Sequence, residues 1–253
     1  MIKIALIGNS HAAMLKLAWD QLSQTKTNIS IDFFIWRSTG VNSLVVEGVN
    51  GETQIDQIKI LPGLATTVAL DNYDAVLICG LGFELKQFLD VYRTHRLTSQ
   101  SKAKFLISEN CFNATVEELT KNSLAFKVNQ ALVNAGFKKV FLVPTPRSSE
   151  YLLNGEYTDD VHQICIDNEE QSFVSETFVK ASQYFCELGT EVCHQPDETI
   201  VGEICTDKLF SNAYGTPESE RYFELKGRRD LIHMNEKYGK IVLQSLLEKA
   251  FSD

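Results

Sequence analysis

The sequence predicts an α/β fold built on a parallel sheet. Short apolar runs alternate with segments of helical periodicity along most of the chain, as in proteins whose parallel strands are joined by crossover helices. With 253 residues, the chain is long enough to bury one large core, so we expect a single domain over residues 1–253. Neither internal repeats nor low-complexity segments interrupt the alternation.

Five apolar runs are expected to form the parallel sheet. They cover residues 2–7, 29–36, 75–79, 140–143 and about 191–193. Between the second and third runs, residues 44–60 flank the dipeptide Asn50-Gly51. Both residues of this dipeptide tolerate positive φ, which suits the tight turn of a two-residue hairpin. The sequence therefore predicts a β-hairpin inserted between the second and third strands.

Apolar residues at three- and four-residue spacing predict the helices. They cover residues 11–22, 84–96, 114–135, 173–188 and 236–251. We expect Asn113 to cap the third helix, with an interruption near Asn122, and Asn235 to cap the last. Residues 148–172 are acidic and predicted to be loop-rich, forming either a lid or a surface excursion.

Composition and charge exclude several classes of partner. The net charge is −9 and the 24 basic residues form no long run, which argues against a nucleic acid or an anionic membrane as partner. No stretch approaches the roughly 18 apolar residues of a membrane span, and residues 1–7 do not resemble a signal peptide, so we expect a cytoplasmic protein. The six cysteines contain no Cys-x-x-Cys pair, which predicts reduced thiols and no metal site.

Nucleotide cofactors are also disfavoured. The run Gly8-x-Ser10-x-x-Ala13 places serine at the middle glycine of a dinucleotide fingerprint, and Arg37 stands where an acid is expected after the second strand. No glycine-rich phosphate loop ending in Gly-Lys-Ser/Thr is present. We therefore expect no cofactor.

Ser10 lies where the first predicted strand gives way to a helix. Open α/β folds bind ligands at this carboxyl edge of the sheet. The backbone N–H of Ser10 lies at the positive end of the following helix, where it could stabilise an oxyanion. The alternative is that Ser10 only caps this helix, since serine is a favoured capping residue.

A second chemical motif lies near the other end of the chain. Asp230 precedes His233 by three residues in a predicted turn, so its carboxylate can accept from one imidazole nitrogen while the other faces a serine hydroxyl. This pair can meet Ser10 only if the first strand and the last loop reach the same edge of the sheet. The alternatives are a surface Asp–His pair, or Asp230 bound to the basic residues within 226–229.

Together these motifs resemble those of the SGNH hydrolases, also called GDSL-type esterases and lipases. Gly8-Asn9-Ser10-His11 resembles the Gly-Asp-Ser block of that family, with Asn9 in place of the aspartate. Asp230-x-x-His233, followed by Met234-Asn235-x-x-Tyr238-Gly239, resembles its last block. The resemblance implies a flavodoxin-like, three-layer α/β/α sandwich with Ser10 as nucleophile, His233 as base and Asp230 as orienting acid.

The expected oxyanion hole departs from the family pattern. The third block of the family is usually Gly-x-Asn-Asp, whereas this chain has Gly80-Leu81-Gly82-Phe83, so Gly82 stands at the asparagine position. The N–H of Ser10 and, as the resemblance implies, that of Gly40 after the second strand are expected to bind the oxyanion, and the N–H groups around Gly80 and Gly82 are candidates to replace the missing asparagine. The alternative for Gly80 and Gly82 is a turn that needs positive φ.

Three more residues are candidates for substrate binding: His11, Asn42 and Arg147. Asn42, like Gly40, follows the second strand and is a further candidate donor to the oxyanion. The guanidinium of Arg147, after the fourth strand, could bind a carboxylate or phosphate through two hydrogen bonds, or instead pair with Glu150 on the surface. His11 is expected to point away from Ser10 along the helix, with a substrate contact or a supporting role left open.

These residues predict a serine esterase that works through an acyl-enzyme. The resemblance suggests a small acyl group, such as acetyl on a carbohydrate, so the expected partner is a small-molecule or carbohydrate ester. The sequence leaves two alternatives open. One is a carbohydrate O-acyltransferase with the same three residues, and the other is a non-catalytic carbohydrate-binding relative, which the missing asparagine at Gly82 motivates.

Overall fold

The computed structural model describes residues 1–35, 45–49, 52–56, 68–92, 95–97, 105–154, 160–212 and 230–251. The strands within these ranges are β1 (Ile2–Gly8), β2 (Ile29–Ile35), β3 (Val45–Val49), β4 (Glu52–Asp56), β5 (Val68–Ala69), β6 (Ala75–Cys79), β7 (His95–Arg96), β8 (Phe105–Leu106), β9 (Val140–Val143), β10 (Glu191–Val192), β11 (Ile200–Val201) and β12 (Cys205–Thr206). The α-helices are α1 (Ala13–Leu22), α2 (Leu85–Tyr92), α3 (Glu109–Asn122), α4 (Leu124–Asn134), α5 (Asp160–Asp167), α6 (Gln171–Ala181), α7 (Gln183–Cys186) and α8 (Glu236–Phe251).

The predicted parallel sheet is confirmed. Its five strands are ordered β10-β9-β6-β1-β2, and every neighbouring pair is parallel. Numbered by chain order within this sheet alone, the strands run 2-1-3-4-5, which is the flavodoxin-like order that the family resemblance implied. The order reverses between β1 and β6, and doubly wound sheets bind ligands outside the carboxyl ends of the two strands at such a point.

Helices cover both faces of the sheet and produce the three-layer sandwich. Alternate residues of one strand point to opposite faces, so Ile4 and Leu6 pack in one core while Ala5 and Ile7 pack in the other. The first core includes α1 and α8, through residues such as Leu15, Trp19 and Leu243. The second includes α2, α3, α4 and α6, through Phe88, Phe112, Phe126 and Phe178.

The boundaries of two predicted helices were wrong. The third helix begins at Glu109 instead of near residue 114, because the Ser108 side chain caps it by accepting the Cys111 N–H at 3.2 Å. Asn113 therefore lies inside α3 and is not its cap. The expected interruption near Asn122 is confirmed, since Ser123 leaves helical geometry and caps α4 by accepting the Phe126 N–H at 3.1 Å.

The second predicted helix is shorter than residues 84–96. It ends at Tyr92, and His95–Arg96 instead forms a short parallel pair with Phe105–Leu106. The last helix matches its predicted range, and the Asn235 side chain caps it by accepting the N–H groups of Lys237 and Tyr238 at 3.1 and 3.3 Å.

The inserted hairpin is present as β3 and β4, which pair in antiparallel fashion. Val49 lies opposite Glu52, so the register leaves residues 50–51 to connect them, although these two residues lie outside the described ranges. The short strand β5 pairs with β4 and extends the hairpin to three strands.

Residues 148–172, predicted to be loop-rich, contain a short 3-10 helix over Glu150–Asn154 and the helix α5. Val161 and Cys165 of α5 are fully buried, because they pack into the same core as α2 and α6. This half of the segment is therefore part of the packed structure and not an open loop. Within the described ranges, no helix is both long enough and apolar enough to cross a membrane.

Candidate active site

The turn after β1 presents the Ser10 side chain at the carboxyl edge of the sheet. Gly8 ends the strand, and an added Cβ there would lie 2.8 Å from Ala12 Cβ and 2.9 Å from the Cys79 carbonyl oxygen, so only glycine allows so tight a turn. Asn9 caps the 3-10 helix Ser10–Ala12 by accepting the His11 N–H at 3.1 Å. The alternative of Ser10 as the cap is therefore wrong, and its hydroxyl is available for other contacts.

The loop before α8 is fixed by main-chain hydrogen bonds to two other segments. The Ser149 N–H donates to the Leu231 oxygen at 2.8 Å, and the Asn212 N–H donates to the His233 oxygen at 3.0 Å. Leu231 and Met234 are buried and anchor the loop on either side of His233. These contacts hold residues 230–235 in an irregular conformation against the carboxyl edge.

The structure brings Ser10, His233 and Asp230 together from opposite ends of the chain. Ser10 Oγ lies 2.8 Å from His233 Nε2, and His233 Nδ1 lies 3.0 Å from both carboxylate oxygens of Asp230. Asp230 Oδ1 also accepts the N–H groups of Ile232 and His233, at 3.3 and 3.1 Å. With the Nδ1 proton on the carboxylate side, Nε2 is free to accept the proton of the Ser10 hydroxyl.

The surroundings of Asp230 keep it ionised. Burial of the carboxyl opposes ionisation, but the hydrogen bond and charge of His233, together with the two backbone N–H groups, lower the pKa of Asp230 below its usual value. A carboxylate at this place fixes the tautomer of His233 and can stabilise an imidazolium. Asp230 is not a surface residue, since its exposed fraction is 6%.

His11 does not point away from Ser10 as expected. Its ring packs against that of His233 in a tilted arrangement, with the ring centroids 4.7 Å apart and the planes inclined by 32°. The residue lies in the tight 3-10 helix after β1, and not in the regular turn of an α-helix, so its side chain returns toward the site. Burial, assisted by the charge of His233 and opposed by that of Asp230, lowers the pKa of His11 to about 4. His11 is therefore a neutral ring at neutral pH.

The turn after β6 lies beside the turn after β1. Gly80 contacts the Asn9 side chain so closely that an added Cβ would lie 2.5 Å from Asn9 Oδ1. Gly80, Leu81 and Gly82 all have positive φ, of 76°, 55° and 78°, which confirms that the two glycines serve a left-handed turn. This turn carries Gly82 at the carboxyl edge next to the Ser10 segment. The other expected donors, Gly40 and Asn42, lie outside the described residues.

Gln87, which was not among the predicted site residues, lies near Gly82. Its Nε2 is 3.8 Å from the place where a Gly82 Cβ would be, and its buried Oε1 has no hydrogen-bond partner in the part of the chain that the structure describes. No signal in the sequence marks this residue, because the contact depends on how α2 follows the left-handed turn.

Arg147 is buried, with 7% of its surface exposed, and does not pair with Glu150. Its Nε donates to the Glu203 carbonyl oxygen at 2.9 Å and its Nη2 to Ser175 Oγ at 3.1 Å. Glu150 instead accepts the N–H of Lys208 at 3.1 Å. The expected surface pair is therefore wrong, because the end of β9 directs Arg147 inward.

No metal centre is evident in the part of the chain that the structure describes. No three or more His, Cys, Asp or Glu side chains there are grouped so that they could hold an ion. No disulfide joins the six cysteines, all of which lie within the described ranges. Among the described residues, the arrangement of Ser10, His233 and Asp230 is thus the strongest candidate for chemistry.

Comparison with known proteins finds similarity in solved structures, while no family model and no curated protein matches. A GDSL-like lipase from Bacteroides thetaiotaomicron is 12% identical over 98% of this chain and 86% of that chain, with a TM-score of 0.41. A lipase from a goat rumen metagenome is 12% identical over 97% of both chains, with a TM-score of 0.37. A DUF4886 family protein from Bacteroides uniformis is 11% identical over 100% of this chain and 83% of that chain, with a TM-score of 0.40. The chemistry available to this site therefore rests on the geometry of Ser10, His233 and Asp230.

Proposed function

We propose that this protein is a serine esterase of the SGNH type that acts on a small acyl ester. The observation that carries the proposal is the 2.8 Å hydrogen bond between Ser10 Oγ and His233 Nε2, with Asp230 on the other ring nitrogen. A nucleophile, a base and an orienting acid in this order are the groups that acyl transfer through a serine requires.

The reaction follows from the roles of the three side chains. His233 Nε2 accepts the hydroxyl proton as Ser10 Oγ attacks the carbonyl carbon of the ester, and Asp230 stabilises the imidazolium that forms. The tetrahedral intermediate collapses when His233 gives this proton to the leaving alcohol, which leaves the acyl group on Ser10. Water then attacks the acyl-enzyme with His233 again as base, His233 returns this proton to Ser10 Oγ as the acyl–oxygen bond breaks, and the carboxylic acid is released.

The oxyanion is proposed to be bound by main-chain N–H groups. The candidates are the N–H of Ser10, at the start of the 3-10 helix, and the N–H of Gly82, in the neighbouring left-handed turn. The family resemblance adds Gly40. Because the asparagine side chain of the family is absent at Gly82, we expect turnover to be about 10²- to 10³-fold slower than with a full set of donors.

The proposed substrate is a small ester, such as an O-acetyl group on a carbohydrate, on the strength of the family resemblance. The same acyl-enzyme could be released by a sugar hydroxyl instead of water, which would make the protein an O-acyltransferase. Product analysis with and without an added sugar acceptor separates the two, since a transferase forms the acylated sugar and a hydrolase forms the free acid.

The experiment that tests the proposal is hydrolysis of p-nitrophenyl acetate by wild type, Ser10→Ala and His233→Ala, together with mass spectrometry after treatment with a fluorophosphonate. We expect turnover and one covalent adduct in wild type, no adduct in Ser10→Ala, and strongly reduced turnover in both variants. A wild-type protein that neither turns over nor becomes labelled would contradict the proposal and favour the non-catalytic, carbohydrate-binding alternative.

The chain provides a matched control for this experiment. Ser182 Oγ lies 3.2 Å from His194 Nε2, so a second serine contacts a histidine elsewhere in the fold. Among the described residues, His194 has no ion pair with a carboxylate. Ser182→Ala should therefore retain both activity and labelling, and loss of labelling in this variant would show that Ser10 is not the reactive serine.

A further inference from the structure

A cavity of about 420 Å³ lies at the carboxyl edge of the sheet, and none of Ser10, His233 and Asp230 lines it. Two of its residues lie in the segments that follow strands of the main sheet, Arg147 four residues after the end of β9 and Gln195 three residues after the end of β10. Ser175 of α6 and Glu203, between β11 and β12, complete the wall near the guanidinium. The cavity therefore lies where α/β folds usually place ligands.

The cavity is lined by a buried charged group, the guanidinium of Arg147. Its described partners are uncharged, namely the main-chain oxygen of Glu203 and the hydroxyl of Ser175. Within the described part of the chain, no carboxylate forms an ion pair with it. Burial lowers the pKa of Arg147, but an arginine side chain stays protonated at neutral pH. The exposed carboxylates of Asp197 and Glu203 act on this charge only from beyond ion-pair distance. A buried charge without a direct ion pair costs free energy, and an anion in the cavity would offset that cost.

The guanidinium of Arg147 has more N–H donors than its two described hydrogen bonds use. It carries five N–H donors, and the structure gives its side chain two partners, the Glu203 oxygen and Ser175 Oγ. The remaining donors match the two oxygens of a carboxylate, which arginine binds through parallel hydrogen bonds. Two hydrogen bonds thus hold the guanidinium in place, and its other N–H donors have no protein partner among the described residues.

The charges at the rim limit which anion fits. Asp197 and Glu203 line the cavity and are exposed, so water screens their charges more than that of the buried guanidinium. They oppose a second negative charge on the ligand. His194, another lining residue, is less readily protonated than a free histidine, because partial burial and the nearby charges of Arg147 and Lys249 lower its pKa. A ligand with a single negative charge therefore suits the cavity better than a dianion such as phosphate.

We propose that this cavity binds a carboxylate group through the guanidinium of Arg147 and the hydroxyl of Ser175. The carboxylate belongs either to a free carboxylic acid or to an ester substrate that extends from the Ser10 site. Binding of a free acid does not depend on the proposed esterase activity. It can therefore be measured on Ser10→Ala as well as on wild type.

The test compares acetate, phosphate and chloride at constant ionic strength, with the melting temperature of the intact protein as readout. A ligand that binds only the folded protein raises this temperature. We expect a saturable increase with acetate, with a Kd below about 10 mM, and a smaller increase with phosphate. The same acetate effect is expected in Ser10→Ala. No saturable effect of acetate on wild type, or a larger effect of phosphate, would overturn the proposal.

Two variants test the site without removing Arg147, whose loss could unfold the protein. Ser175→Asp places a carboxylate beside Nη2, so the free protein should melt at a higher temperature and the acetate effect should disappear. Asp197→Asn removes a rim charge and should tighten acetate binding about two-fold. An unchanged acetate effect in Ser175→Asp, or weaker acetate binding in Asp197→Asn, would contradict a carboxylate site at Arg147.

The source of the carboxylate is identified by kinetics. If it belongs to the substrate, mono-p-nitrophenyl succinate should have a KM at least about ten-fold below that of p-nitrophenyl acetate, and Ser175→Asp should remove the difference. If it belongs to a separate acid, the two esters should have similar KM values although acetate still raises the melting temperature. An inactive wild type that responds to acetate would contradict the esterase proposal and leave the carboxylate site supported.

Discussion

The ring of His11 contacts the ring of His233, with 4.7 Å between the two centroids and 32° between the ring planes. His11 is 9% exposed, and its buried Nδ1 has no hydrogen-bond partner among the described residues, so the contact between the two rings depends on packing and not on a hydrogen bond through this nitrogen. A neutral ring at this place restricts rotation of His233 and keeps its Nε2 directed at Ser10. It also avoids a second positive charge beside the imidazolium that the proposed reaction forms.

Two substitutions of His11 should distinguish a packing role of its ring from a chemical role of its imidazole group. His11→Phe keeps a flat ring against His233 and should retain most of the turnover of p-nitrophenyl acetate. His11→Ala leaves space for His233 to turn away from Ser10, and we expect kcat to fall about ten- to hundred-fold with little change in KM. Equal losses in the two variants would show that the imidazole of His11 has a chemical role beyond packing.

The stability of the protein should depend on pH through His11. Its pKa is about 4 in the folded protein and 6.5 when exposed, so between these values the unfolded chain binds a proton that the folded protein does not. The free energy of unfolding therefore falls as the pH decreases from 6.5 to 4, by about 3 kcal/mol for this group alone. Above pH 6.5 both states are neutral and the effect is absent.

Urea unfolding of wild type and His11→Phe at pH 7 and pH 4.5 measures this contribution. Other acids, including Asp230, titrate in both proteins, so the difference between the two proteins isolates His11. We expect the stability of His11→Phe relative to wild type to increase at the lower pH. A difference that stays constant with pH would show that His11 is already protonated in the folded protein or remains accessible to water.

Local sequence patterns were sufficient to locate the five strands of the main sheet, the inserted hairpin and the three proposed catalytic side chains. The strands of the main sheet are continuous apolar runs because both faces of the sheet are buried. Ser10 and His233 each lie in a short motif next to a predicted helix, and the parallel sheet brings both motifs to one edge. Their meeting is a consequence of topology, which the alternation of strands and helices predicted.

Other side-chain contacts between distant segments could not be predicted from local patterns or from the topology of the sheet. The surroundings of Arg147 combine α6 with the turn between β11 and β12, so its burial depends on three segments that no sequence spacing relates. The contact of His11 with His233 likewise joins the two ends of the chain. The Asn113 prediction failed for a local reason, since Ser108 and Asn113 are both favoured caps and only packing of the helix selects between them.

Asp230→Asn should reduce catalysis far more than it changes the fold. The amide oxygen can still accept the backbone N–H groups of Ile232 and His233, but the amide nitrogen would favour the wrong tautomer of His233. We expect kcat to fall by up to about 10⁴-fold, as the loss of an orienting acid does elsewhere. Asp207→Asn is the matched control, because Asp207 accepts a backbone N–H in a similar turn and contacts no histidine among the described residues. Similar kcat values for Asp230→Asn and wild type would exclude Asp230 from the proposed reaction.

Gly239→Ala should destabilise the contact between α1 and α8. An added Cβ would lie 2.2 Å from the main-chain oxygen of Met14, and a backbone atom in a helix cannot move aside as a side chain can. We expect the free energy of unfolding to fall by about 2 kcal/mol or more in urea titrations. Gly136→Ala is a useful comparison. An added Cβ there would have no described atom within 4 Å, so only the positive φ of 92° opposes the change. A smaller loss in Gly239→Ala than in Gly136→Ala would contradict the close approach of the two helices.

Gly82→Asn should raise the activity of the proposed esterase. Asparagine tolerates positive φ better than most residues, and the nearest described atom to an added Cβ is Gln87 Nε2 at 3.8 Å, so the Cβ of an asparagine makes no close contact there. Its amide would supply the oxyanion donor that the family resemblance places at this position, and we expect kcat for p-nitrophenyl acetate to rise about ten-fold or more. Gly82→Ala imposes the same strained φ without a donor and should not raise kcat. If the two variants have the same activity, the Gly82 turn does not face the oxyanion, and the donors must come from elsewhere.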